Sequence, residues 1–192
     1  MIRSFEKNVG LPIDICILDN GTTELCSDIM KSQFTVFDNT NYKFTKSYAC
    51  RSTTHAKSID FAFKNFICYD YVILCDNDVI FKPSAKKLIQ EFCNSDYDAL
   101  GEVGWDLVPP DRLFPYFCII NLKKFKEQGI NYARFIGHGK YDTGCSFYED
   151  IVKLGWKIKK VKINDYIIHL KGATLRNKDY KKWISNNKKL LQ

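Results

Sequence analysis

The chain has 192 residues, 45% of them hydrophobic and 15% aromatic, which suits one domain with a full-sized core. Its formal charge of +7 favours anionic partners such as nucleotide diphosphates, nucleic acid or a membrane surface, and does not choose among them. No apolar stretch reaches the roughly 18 residues of a membrane span, and residues 1–8 lack the apolar centre of a signal peptide, so a cytoplasmic location is expected.

Strand and helix signals alternate along the chain. Residues 13–18 are a short apolar run ending at Asp19-Asn20-Gly21, a strand followed by a loop. Residues 28–33 suit a helical turn, and residues 34–37 a second short strand. Over residues 54–66, Ala56, Ile59, Ala62, Phe63 and Phe66 recur at helical spacing behind Ser and Thr capping candidates. Residues 71–75 read as a buried strand running straight into Asp76-Asn77-Asp78. Pro83 then opens a helix over residues 84–92, with Leu88, Ile89 and Phe92 on one face.

Residues 98–103 and 116–120 are further strands, separated by a Pro-rich loop over residues 105–115. A short helix is expected over residues 122–128. A longer one over residues 142–154 is closed by Gly155. Residues 157–163 and 166–170 finish the sheet. No repeat, low-complexity tract or linker interrupts the pattern, so residues 1–192 are expected to form a single α/β domain, a sandwich around a mostly parallel sheet. The eight cysteines form no Cys-x-x-Cys pair. Cys16, Cys68, Cys75, Cys118 and Cys145 lie in or beside apolar segments and read as core filling in a reducing compartment.

In such sheets ligands bind at the carboxyl ends of the strands. Two loops there are acidic, Asp19-Asn20-Gly21 and Asp76-Asn77-Asp78. An Asp-x-Asp at a strand end points two hard oxygen ligands at water, where a divalent cation and a diphosphate can meet. The competing reading is a plain Asp-Asn turn.

Four segments make a resemblance specific: Ile-Leu-Asp-Asn-Gly-Thr at 17–22, His-Ala-Lys-Ser-Ile-Asp-Phe-Ala at 55–62, Tyr-Val-Ile-Leu-Cys-Asp-Asn-Asp-Val at 71–79 and Ile-Ile-His-Leu-Lys-Gly at 167–172. In this order they resemble a GT-A-fold glycosyltransferase, and are most similar to the family 2-like inverting enzymes. The resemblance implies a Rossmann-related three-layer sandwich and transfer of a sugar from a nucleotide-diphosphate donor, a UDP-sugar first, to a glycan or glycoconjugate hydroxyl.

It also implies roles. Asp19 would meet the base or ribose, Arg51 and Lys57 would flank the nucleotide-sugar, Asp76 and Asn77 would contact the donor, and Lys171 would reach the diphosphate. Asp78 and His169 would hold Mn2+, or Mg2+ next, a mixed set of carboxylate and imidazole that suits these ions. His55 reads as a residue that caps or packs the start of its helix. Glu102, Trp105 and Asp106 occupy the acceptor-binding stretch. An inverting transfer needs a carboxylate base beside the acceptor hydroxyl. Asp142 takes that role at its helix entrance, where it also suits an N-cap, with Asp106 and Glu102 as alternates.

One departure from the family is the strand that normally precedes the Asp19 strand, since residues 1–9 look like the end of a first helix. The lysine-rich tail after residue 179, with Tyr180, Trp183, Ile184 and Leu190, suits either a helix packed on the domain or peripheral contact with an anionic membrane. A nucleotidyltransferase would need a Gly-rich phosphate loop that is not visible. A nucleic-acid module ranks last, because the basic residues are spread out rather than interleaved with aromatics, and no nucleic-acid partner is expected.

Overall fold

In a computed structural model of the chain, residues 1–19, 35–38, 48–65, 68–104, 111–130 and 142–170 are described. The strands are β1 (Cys16–Asp19), β2 (Thr35–Asp38), β3 (Tyr71–Cys75), β4 (Val79–Phe81), β5 (Ala99–Gly104), β6 (Arg112–Asn121), β7 (Ile158–Lys160) and β8 (Ile167–His169). The helices are α1 (Ile2–Asn8), α2 (Tyr48–Asn65), α3 (Ser84–Cys93), α4 (Leu122–Glu127) and α5 (Cys145–Lys153).

The strands form a four-stranded sheet in the order β3-β6-β5-β7, a parallel β1–β2 pair and an antiparallel β4–β8 ribbon. The fold is therefore α/β with a mixed sheet. The mostly parallel pairing expected from the alternation of elements is not what the four-stranded sheet shows. In it β6 runs antiparallel to both β3 and β5, and only β5–β7 is parallel. Thus β3, β5 and β7 run one way, with β6 inserted against them. Connection length explains this: residues 105–111 are too few for the crossover of about a dozen or more residues that a parallel neighbour requires. Before β1, the only regular element among the described residues is α1.

Strand β6 also starts earlier than its sequence suggests, taking up Arg112 to Pro115 from the expected loop. Its ladder with β5 pairs Gly101 with Cys118 and then Val103 with Leu113, so Glu102 alone faces residues 114–117. Proline cannot donate to a ladder, and a bulge of this kind is where a strand tolerates one. Close approach of the two strands demands Gly101, because a Cβ there would lie 2.8 Å from Leu113 Cδ1 and 3.1 Å from Cys118 Cβ.

Side chains alternate across the sheet, as strand geometry requires. Phe117 and Ile119 of β6 join Leu100, Phe5 of α1 and Leu88, Ile89 and Phe92 of α3 in one core. Cys118 and Ile120 join Ala99, Ile59 and Phe63 of α2, Phe125 of α4 and Phe147 and Ile151 of α5 in the other. Helices therefore cover both faces. Cys118 and Cys145 are buried as expected, whereas Cys68 is exposed and fills no core.

Helix α1 lies along β4. Asn8 Nδ2 donates to the Phe81 carbonyl at 2.7 Å, the Phe81 N–H donates to Ser4 Oγ at 3.1 Å, and the rings of Phe5 and Phe81 meet edge to face at 5.1 Å. Among the described residues, no helix is long and apolar enough to cross a membrane.

Candidate metal centre

The acidic triplet sits where two sheets meet. Strand β3 ends at Cys75, and the next N–H, that of Asp76, donates to the Tyr116 carbonyl of β6 at 3.1 Å. Asn77 is exposed at the turn, and Asp78 enters β4 buried, with 7% of its surface exposed. In the ribbon, Val79 pairs with His169, and the Leu170 N–H donates to the Asp78 carbonyl at 3.0 Å. This register brings the His169 Nε2 to 3.2 Å from Asp78 Oδ1. One ligand atom each from Asp76, Asp78 and His169 lies within 4.8 Å of the others.

Two carboxylates and an imidazole so close together form a donor set suited to a hard or borderline divalent cation. Burial pushes the Asp76 carboxyl above the ordinary carboxylate range, opposed by His55, reinforced by the charge of Asp78 and opposed again by His169 and Arg112. A cation at this point would supply the positive charge that crowded carboxylates lack. The neighbouring Cys75 is a packing thiol, since burial pushes it well above its usual value.

A second set of residues surrounds this group. His55 Nε2 lies 3.7 Å from Asp76 Oδ1. Helix α2 begins at Tyr48, so His55 is well inside the helix rather than at its start, and it faces the site instead of capping. The Tyr116 ring stacks on His169, with centroids 4.3 Å apart and 20° between the planes. The Tyr116 hydroxyl donates to Glu102. Arg112 lies over the Phe114 ring at 4.7 Å and forms an ion pair with Asp142.

The structure thus brings together Asp76, Asp78 and His169. Asp142 is not an N-cap: Gly144, with φ of 92°, occupies that position, and α5 starts at Cys145. The left-handed backbone at Gly144 shortens the helix that the sequence extends to residue 142. Asp142 instead pairs with Arg112 and accepts from the Thr143 N–H at 2.7 Å. Lys57 is exposed on α2. Asp19 ends β1 and Arg51 lies in α2, but their side chains fall outside the described residues, as do Trp105, Asp106, Lys171 and the basic tail.

Sequence reasoning missed Arg112 and Tyr116. Arg112, Phe114 and Tyr116 alternate at the period of a strand, a signal masked by Pro115 between them.

No protein-family model and no curated protein matches the chain. Among solved structures, it is similar to one titled "Crystal Structure of A197 from STIV", at 16% identity and a TM-score of 0.37 over 64% of this chain and 70% of that one.

Proposed function

We propose that the chain is a metal-dependent glycosyltransferase of GT-A-like, three-layer architecture. It transfers a sugar with inversion from a nucleotide-diphosphate donor, a UDP-sugar first, to a hydroxyl of a glycan or glycoconjugate. The observation that carries this reading is the convergence of Asp76, Asp78 and His169 at the carboxyl end of β3. Helices on both faces of a sheet whose strands β3, β5 and β7 share a direction are in keeping with it.

Asp78, just before β4, and His169, at the end of β8, would hold Mn2+, or Mg2+. When bound, the ion neutralises the diphosphate and stabilises charge on the departing nucleotide. Asp76, with His55 behind it, faces the ribose and sugar. Asn77, Asp19, Arg51, Lys57 and Lys171 are assigned to the rest of the donor, and Trp105 and Asp106 to the acceptor.

Asp142 takes the proton from the acceptor hydroxyl, its carboxylate oriented by Arg112 and the Thr143 N–H. Arg112 is fixed in turn by Phe114, and its charge also lowers the Asp76 carboxyl, a smaller effect than burial.

The test is a mass-spectrometric screen of nucleotide-sugars against hydroxyl acceptors, with Mn2+ and with EDTA. Turnover that needs Mn2+ supports the reading. Full turnover in EDTA removes the metal from the mechanism.

A further inference from the structure

Resting on the metal-binding reading above, we infer that Tyr116 is a positioning residue for the metal ligand His169, and that Glu102 holds it in place. The ring of Tyr116 sets the plane of the His169 imidazole, and its carbonyl fixes the Asp76 backbone.

Three contacts converge on this one residue. Its carbonyl accepts the Asp76 N–H at 3.1 Å, one step beyond the last paired residues of β3 and β6. Its ring lies nearly parallel to the His169 ring at 4.3 Å. Its hydroxyl donates to Glu102, the β5 residue that faces the bulge. The bulge explains the aim of the side chain, since bulges re-aim side chains and are common beside active sites. Tyr116 sits next to Pro115 within it.

The geometry has a mechanical consequence. Asp76 follows the end of β3 in the four-stranded sheet, whereas His169 ends β8 of the separate β4–β8 ribbon and Asp78 leads into it. Tyr116 touches a residue from each. An imidazole that ligates a metal must present one nitrogen along the metal bond, and residues behind it that fix the ring are worth about 10- to 100-fold in metal affinity. Here a stacked phenol fixes the ring, and Glu102 in turn fixes the phenol. Glu102, which lies in the sequence stretch assigned to the acceptor, serves the metal side of the site.

The experiment is an Mn2+ titration of the full chain followed by electron paramagnetic resonance, with melting curves to verify folding. Tyr116→Leu is expected to weaken Mn2+ binding about 10- to 100-fold. Tyr116→Phe keeps the stack and loses the tether, as Glu102→Ala does from the other side. Each should weaken binding as well, by less than the loss of the whole ring. The double variant E102A/Y116F should bind no worse than the weaker single one, because both remove the same bond.

The visible spectrum of Co2+-saturated protein should shift in these variants, which a purely structural role would leave unchanged. If Y116L fails to fold, the E102A and Y116F variants decide the matter. Wild-type affinity and an unchanged Co2+ spectrum in the folded variants overturn the positioning role alone. A wild-type chain that takes up no Mn2+ overturns the metal reading and the positioning role with it.

Discussion

Asp78 and His169 meet at one end of the β4–β8 ribbon, Oδ1 to Nε2 at 3.2 Å, although they lie in distant parts of the chain. Two backbone features fix this: the Val79–His169 pairing and the bond from the Leu170 N–H to the Asp78 carbonyl.

Asp78→Ala should therefore abolish Mn2+ uptake and metal-dependent donor turnover without unfolding the chain. The loss should exceed the roughly 100-fold upper range for residues behind a ligand. Calorimetric Mn2+ titration beside circular dichroism reads both. Retained Mn2+ affinity in a folded D78A variant would rule Asp78 out as a ligand.

Arg112→Ala should separate the metal from the base. The Arg112–Asp142 pair is largely buried, with 13% and 21% of the side chains exposed. Removing one partner of a fully buried pair costs about 3–5 kcal/mol, so about 2 kcal/mol is expected here. Turnover should fall sharply while Mn2+ affinity changes little. Chemical denaturation measures the stability loss, a turnover assay the loss of activity, and a metal titration that keeps wild-type affinity separates the two roles.

Gly101→Ala tests the tight approach of β5 to β6. The added methyl meets Leu113 Cδ1 and the stiffer Cys118 Cβ. Overpacking of this kind costs about 1–3 kcal/mol, which should appear as a lower melting temperature. An unchanged melt would show that the strands separate without strain.

Alkaline stability should depend on Cys16. Burial pushes its thiol from 9.0 to about 11. Between these values the unfolded chain loses a proton that the folded chain keeps. Stability from this group is thus complete below pH 9 and is lost as the pH rises through about 11. Cys16→Ser should flatten that part of the pH–stability curve relative to the wild type, and parallel curves for the two proteins would contradict the assignment.

Much of the centre was legible in the primary structure because its signals are local. An unbroken apolar run from Tyr71 to Cys75 that stops at two carboxylates reads as a strand end, and β3 has those bounds. Helix α3 differs from expectation by one residue, since Pro83 and the Leu88, Ile89 and Phe92 stripe mark it. What stayed hidden depends on partners.

Nothing near Pro115 announces that Glu102 will face four residues of the next strand, so residues 112–115 read as loop and the roles of Arg112 and Tyr116 go unnoticed. The direction of β6 likewise follows from which strands it joins. The sequence reads as helix from Asp142 because the positive φ of Gly144 has no signature beyond glycine itself.

The docking of α1 has a consequence for the ribbon's outer side. Strand edges with open N–H and C=O groups template pairing with other chains. At Phe81 both groups are already taken, by Ser4 and Asn8. Cutting away the first eight residues would uncover that edge, and β4, the strand that follows Asp78, would then be open to self-association.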